Sequence, residues 1–204
     1  VNRNKIRNRL GIQKNQIMLL SVGRYHVKKG YDVIPDTVKL LKRGGANIKW
    51  VIVGKSLNLL ENKFKELNIF NDVILLDEMG SNKETTNFPC DELIEIYKAA
   101  DVFVMTSILE TYGMVLLEAM ASRLPIVSTD AEGCKHVVND GVNGLIVPVG
   151  NSKAIANAIK KIINNHELKS ELISNGYKKA QMHDWSIIKE MYLKILIEVV
   201  LIGI

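Results

Sequence analysis

The stretch Val102-Phe103-Val104-Met105-Thr106-Ser107-Ile108-Leu109-Glu110-Thr111-Tyr112-Gly113-Met114-Val115-Leu116-Leu117-Glu118-Ala119-Met120-Ala121 reads as a strand, a loop and a helix in direct succession. Residues 102–105 form a short apolar run without a polar break, as expected of a strand buried on both faces. Gly113 permits a sharp turn and opens an apolar helix over residues 113–121. The same succession recurs along the chain. Residues 17–22, 50–53, 73–76, 126–128 and 145–147 are further Val- and Ile-rich runs, and residues 33–42, 57–67, 91–99 and 135–138 read as the helices between them. Strand and helix alternating in this way predict an α/β fold, a doubly wound parallel sheet of six strands with flanking helices. Residues 152–164, 167–182 and 186–201 add a C-terminal helical extension. The polar segment 80–89 (GSNKETTNFP) reads as a surface loop before a helix capped by Asp91.

Composition bounds the possibilities. The chain has 204 residues, 47% hydrophobic and 24% charged, enough for one folded domain with an appendage and too apolar for a disordered chain. Its net charge of +5 is unevenly placed. Residues 1–30 hold eight basic side chains (Arg3, Lys5, Arg7, Arg9, Lys14, Arg24, Lys28, Lys29) and no acid, while the other 19 basic residues face all 22 acids and leave the remainder at −3. Such a stretch suits a nucleic-acid or membrane patch, or a site for a small phosphorylated ligand. The part from Arg3 to Arg9 reads best as a solvated basic run within an entry segment, residues 1–16. Cys90 and Cys134 have no second Cys or His at metal-ligand spacing, which points to a reducing, cytoplasmic setting. The start lacks a secretory pattern. The apolar tail 195–204 is about half a bilayer span and carries Glu198, so it reads as a helix packing on another body. The first residue is Val1 rather than Met, and the chain reads as a piece of a longer protein.

Ligands of open α/β sheets bind outside the carboxyl ends of the strands. The residues that follow the strands are therefore the candidates: 23–30, 54–56, 77–80, 106–113 and 129–133. In the first loop, Gly23 lets the backbone turn, Arg24 offers a planar fork matched to phosphate oxygens, and Lys29 offers a mobile point charge. Together they suit a diphosphate without a metal. The spacing is neither a Walker A loop nor G-x-G-x-x-G, and a solvated basic loop is an equal alternative. In the second loop, Glu110 precedes a helix start whose free N–H groups favour an anion. Glu118, among Leu116, Leu117, Ala119 and Met120, must point outward or be satisfied by hydrogen bonds. A ribose diol would satisfy it, whereas on residue types alone a solvent-facing Glu118 and a loop acid at Glu110 are the simpler account. A paired-carboxylate glycosidase is discounted, because one acid is on a loop and the other within a helix. The loop 129–133 suits a cleft rim or an ordinary connection. His26 and His136 lie in these loops, while His166 and His183 read as surface or core residues.

Four blocks in register carry a resemblance: Val22-Gly23-Arg24 with Lys29-Gly30; Ser107, Glu110-Thr111-Tyr112-Gly113 and Glu118-Ala119-Met120-Ala121; residues 125–133 (PIVSTDAEG); and residues 140–148 (DGVNGLIVP). Over residues 17–186 the chain resembles the retaining glycosyltransferases of group 1, family 4 and its relatives, which include glycogen synthases and mannosyl- and glucosyltransferases. The resemblance implies one half of a GT-B fold, in which two Rossmann-like domains face each other across a cleft. The first binds the acceptor and the second the nucleotide-sugar. This chain is similar to the second, with residues 17–184 as the nucleotide-sugar-binding domain. Residues 185–204 would be a helix crossing back to an absent N-terminal domain, which leaves the apolar tail partly exposed.

By the same resemblance, Arg24 and Lys29 bind the donor diphosphate and stabilise charge growing on the leaving group, and Glu110 faces the sugar ring. Gly23, Thr111, Tyr112 and the N–H groups around Gly113, Met114 and Val115 surround sugar and phosphate. Glu118 accepts from the ribose, and Met79 and Gly80 lie near the base. The implied reaction is transfer of a hexosyl group with retention from a UDP-, GDP- or ADP-linked donor, with no metal and no further cofactor. The implied acceptor is a sugar or lipid-linked molecule held by the missing domain, at the cytoplasmic face of the membrane, with no nucleic-acid partner. The alternatives are a basic nucleic-acid-binding α/β module and a non-catalytic GT-B-like scaffold. Four features depart from the family pattern: Arg123 at a usual glycine, His136 at a common glutamate, Tyr112 at a usual phenylalanine, and a long 80–89 segment.

Overall fold

The computed structural model describes residues 2–80 and 89–202, with side chains described to residue 198. Six strands, β1 (Ile17–Val22), β2 (Ile48–Val53), β3 (Val73–Leu76), β4 (Val102–Met105), β5 (Ile126–Thr129) and β6 (Leu145–Val147), form one sheet in the order β3-β2-β1-β4-β5-β6. Every pairing is parallel. Successive side chains of a strand point to opposite faces, and here both faces are core. Leu19, Trp50, Ile52, Val102, Val104 and Val127 point to one face. Met18, Leu20, Val51, Val53, Phe103 and Met105 point to the other. This two-sided burial explains why the strands read as continuous apolar runs.

The first face is covered by α2 (Ile34–Arg43), α3 (Asn58–Glu66) and α7 (Ser152–Asn164). The second is covered by α1 (Arg3–Arg9), α4 (Asp91–Ala99) and α5 (Met114–Ala121). The one-turn α6 (Glu132–Lys135) also buries Cys134 on the second side, and α8 (His166–Gln181) packs on α5. The result is the expected three-layer, Rossmann-like doubly wound architecture. A buried polar tie crosses it, since Trp50 Nε1 donates to Ser21 Oγ (3.0 Å), which donates to the Val104 carbonyl (2.6 Å).

Local departures from the sequence expectations have physical causes. The run Arg3 to Arg9, expected to be solvated, is α1, capped by the Asn2 side chain on Lys5 N. Ile6 enters the core, and Arg7 is 5% exposed. The Arg7 guanidinium donates to Asp101 (2.9 Å) and to the carbonyls of Ala99 (3.2 Å) and Gln16, so burial of the charge is matched by acceptors. The turn expected over 135–138 lies at Glu132–Lys135, because the chain already bends where Gly133 packs on the Glu110 loop. Asp91 is the first residue of α4 rather than its cap, a position held by Cys90. Most of the expected 80–89 loop lies outside the described residues. The last helix, α9 (Trp185–Ile202), is started by Asp184, which accepts from Ser186 N (2.9 Å). Its Trp185, Met191, Tyr192, Ile195 and Leu196 are exposed, Trp185 at 76%.

Candidate functional site

The strand order reverses at β1, which lies between β2 and β4. Loops leaving the carboxyl ends of β1 and β4 therefore part to opposite sides and open a crevice, the usual ligand position of such sheets. The two loops are residues 23–30 and 106–113, the two that sequence reasoning ranked first. The structure laces them together. Thr106 Oγ1 donates to the Lys29 carbonyl (2.7 Å), and Ile108 N donates to the Lys28 carbonyl (2.7 Å). Gly30 has φ +62°, and a Cβ there would strike the Thr106 carbonyl, so the seam requires glycine on both counts.

Within the first loop, His26 Nδ1 accepts from Lys28 N (3.2 Å) and caps the single 3-10 turn Val27–Lys29. That turn aims Lys29 across the crevice, where its Nζ lies 2.7 Å from Glu110 Oε2. The other Glu110 oxygen accepts from Thr111 N (3.1 Å). Arg24 lines the same cavity of about 160 Å³ with Lys29, Glu110 and Thr111, yet its guanidinium has no ion-pair or hydrogen-bond partner among the described residues. One cation is thus held by a carboxylate and one is uncommitted. Gly23 is fixed beneath them by its N–H to the Val53 carbonyl (2.8 Å) and by Tyr31 Oη donating to its own carbonyl (2.9 Å).

Gly113, at φ +84°, is the N-cap of α5 and turns the chain so that Met114 and Val115 begin the helix. Their N–H groups precede the helical hydrogen-bond ladder and are available to an anion. Tyr112 is exposed, with its ring centroid 6.4 Å from that of His183. Glu118 is neither solvent-facing nor buried in the core. It is half-buried and lines a separate cavity of about 410 Å³ with Met114, Leu117, Ile94 and Lys98. Tyr97 Oη donates to Glu118 Oε2 at 2.8 Å. Burial pushes the Glu118 carboxyl above its ordinary range, and the Tyr97 hydrogen bond pulls partly against it. The Tyr97 phenol is itself held well above its usual value by burial and by the adjacent carboxylate, so it stays a donor. Met79 is half-buried and packs on the same core side as Leu117 and Val115, and Gly80 has φ +78°.

The structure thus gathers Arg24, Lys29, Glu110 and Thr111 at one cavity and Met114 and Glu118 at a second, further along α5. Sequence reading missed Tyr97, although a phenol in the apolar stripe of a helix needs a partner. It also ranked the loop 129–133 too low. Gly133 N donates to the Glu110 carbonyl (3.1 Å), and a Cβ at Gly133 would collide with the Glu110–Thr111 backbone. His136 is exposed. No helix of the described residues is long and apolar enough to cross a membrane.

This sheet order and its flanking helices define a Rossmann-like class of α/β domain. The model of the family described as glycosyl transferases group 1 matches residues 2–179, and the chain belongs to that family. It is 28% identical over 181 residues to an uncharacterized glycosyltransferase of Methanocaldococcus jannaschii, covering 88% of this chain and 44% of that protein. It is 32% identical over 160 residues to the capsular polysaccharide biosynthesis glycosyltransferase CapM of Staphylococcus aureus, covering 78% of this chain and 40% of that protein. The chain spans less than half the length of these relatives. Among solved structures it is similar in fold to Anabaena HepE in complex with UDP-glucose, with TM-score 0.81 and 23% identity over 96% of this chain and 52% of that one. It is also similar to the C-terminal domain of a group 1 family protein, LpcC, from Francisella tularensis, with TM-score 0.71 and 24% identity over 89% of this chain and 92% of that one.

Proposed function

We propose that this chain is the donor-binding half of a two-domain, retaining hexosyltransferase. The observation that carries the reading is the meeting of Arg24, Lys29 and Glu110 around one cavity at the β1/β4 switch point. The diphosphate of a nucleotide-sugar sits there between Arg24, Lys29 and the N–H groups of Met114 and Val115. When the bond from the anomeric carbon to the phosphate oxygen breaks, its electron pair goes to the diphosphate. The two cations stabilise that charge in the transition state, without a metal. Glu110, with Thr111 and Tyr112 beside it, orients the sugar. Glu118 accepts from the ribose hydroxyls, and Met79 and Gly80 border the base. The complex of HepE with UDP-glucose supports a nucleotide-sugar as the ligand class, and the donor here is UDP-, GDP- or ADP-linked.

The acceptor, a sugar or a lipid-linked sugar, belongs to the domain that the longer relatives carry. The exposed apolar side chains of α9 pack on that domain in the whole protein, which works in the cytoplasm at the membrane face. The free, buried Cys90 and Cys134 support that compartment. A nucleic-acid module fits less well, because Arg3, Arg7 and Arg9 are paired with Asp101 and Glu92. Titrating UDP, GDP and ADP into the chain while following amide shifts tests the reading. The expected result is binding of one of them, with the shifts on residues 23–30 and 110–118. No binding at millimolar nucleotide would overturn it. The chain alone is expected to transfer no sugar, and detectable transfer would contradict the two-domain reading.

A further inference from the structure

We infer that Tyr97 is a positioning residue for nucleotide recognition, tying down one oxygen of Glu118 from α4 so that the carboxylate is presented in one orientation to the cavity beside α5. The inference rests on the proposed function, in which Glu118 receives the ribose. Tyr97 itself is buried behind Glu118 and packs on Phe103, with ring centroids 5.9 Å apart, so it touches no ligand. Its hydroxyl is 2.8 Å from Oε2, while Oε1 accepts from no group among the described residues. A carboxylate has about four acceptor positions on its two oxygens, so one fixed donor still leaves room for a diol.

The arrangement resolves a conflict built into the position. Glu118 sits on a helix whose neighbours Leu117, Ala119 and Met120 are core, and burial there favours the neutral acid. A neutral Glu118 would present an O–H donor and lose acceptor capacity towards a diol. A hydrogen bond to the charged form works against that drift, and it comes from a phenol whose own ionisation burial suppresses. Among the described residues, the other titratable side chains around the cavity are Lys98 on α4 and His183 and Asp184 at the α8–α9 junction.

The test compares the unaltered chain, Tyr97→Phe and Glu118→Gln, each in a His183→Gln background to remove the imidazole. UDP, GDP and ADP are titrated from mildly acidic to mildly alkaline pH, and the Glu118 carboxyl is followed by carbon-13 resonance without nucleotide. Tyr97→Phe keeps the ring and its packing on Phe103, and an unchanged melting curve confirms that the variant folds. In Tyr97→Phe the Glu118 resonance is expected to titrate at higher pH. Nucleotide binding should weaken on the order of tenfold at the acidic end and recover towards the parent at the alkaline end. Loss of binding that is uniform across pH, or an unmoved Glu118 titration, would overturn the positioning role and leave only packing. If instead Glu118→Gln binds nucleotide as the parent does, the ribose reading of Glu118 fails, and this inference fails with it. Glu118→Gln losing binding while Tyr97→Phe matches the parent at every pH sinks the inference alone.

Discussion

Arg7 and Arg24 belong to the same basic stretch and end in opposite situations. Arg7 lies at the amino-terminal side of the sheet, buried, with Asp101 and backbone carbonyls taking its N–H groups. Arg24 lies at the carboxyl ends of the strands, exposed and unpartnered among the described residues, on the rim of a cavity. A guanidinium can be buried only where acceptors meet it, so the first end of the domain is closed electrostatically. The second end keeps charge in reserve, and strand ends of a doubly wound sheet are where such a reserve is useful. The difference separates a cation that holds the fold from a cation left uncommitted among the described residues.

The comparison is broken most severely at its closed end. Arg7→Ala leaves Asp101 half-paired and the Ala99 and Gln16 carbonyls without their donor, and is expected to cost about 3–5 kcal/mol of unfolding free energy. Urea unfolding measures this, and nucleotide binding by the remaining folded fraction should be unchanged. The pair also sets a pH dependence. Burial pushes the Asp101 carboxyl up, but the Met18 N–H and the guanidiniums of Arg3 and Arg7 outweigh it and hold the group below its ordinary range. A depressed carboxylate contributes stability above its unfolded value near 3.9, and that contribution is lost as pH falls through the folded value. The gap between parent and Asp101→Asn should therefore close below about pH 4.

The open end should answer in the opposite way. Lys29→Ala or Arg24→Ala in the whole protein is expected to slow sugar transfer about 10²–10³-fold, the scale of losing one transition-state charge partner. In Arg24→Ala the melting temperature should move little. Lys29 and Glu110 differ here from Arg24, because Lys29→Ala also frees a carboxylate that is 13% exposed. A melting temperature that falls by several degrees in Arg24→Ala would erase the distinction between the two arginines.

Gly133→Ala probes the support beneath the open end. The new methyl group would meet the Glu110 carbonyl and the Thr111 backbone, so the loop must move. Overpacking of this kind costs about 1–3 kcal/mol. The sharper expectation is displacement of Glu110 from Lys29, read as a changed Thr111 amide shift and weakened nucleotide-sugar binding. Unchanged Thr111 and Glu110 resonances in a folded variant would show that the loop does not lean on α6.

What was legible in the sequence follows from range. The strands could be read because burial on both faces leaves an unbroken apolar run, and the residues after β1 and β4 were candidates because strand ends are. The burial of Arg7, read as part of a solvated run, was not legible, since the acceptors Ala99 and Asp101 lie over 90 positions away. Tyr97 and Glu118 are separated by 21 positions and by a strand, and no helical or strand period connects them. Spacing reports what one element does. It is silent on which side chain of the next element completes a hydrogen bond.

A third arginine sharpens the comparison at the smallest scale. Arg123 follows α5 at φ +59°, where the family resemblance leads one to expect glycine, and its guanidinium lies 4.0 Å from the centroid of the Tyr177 ring on α8. A left-handed backbone costs a side chain about 1–2 kcal/mol, and an exposed cation–π contact returns about 0.5–1 kcal/mol. Arg123→Gly relieves the strain, forfeits the contact, and adds about 0.4–1 kcal/mol of unfolded-chain entropy, so these terms nearly cancel and its net effect is expected within about 1 kcal/mol. Arg123→Ala keeps the strain and forfeits the contact, and should be less stable than the parent by about 0.5–1 kcal/mol. Equal melting temperatures for parent and Arg123→Ala would remove Tyr177 from the account. A lower melting temperature for Arg123→Ala alone would place Arg123 with Arg7 as a structural cation, held by a ring where Arg7 is held by a carboxylate.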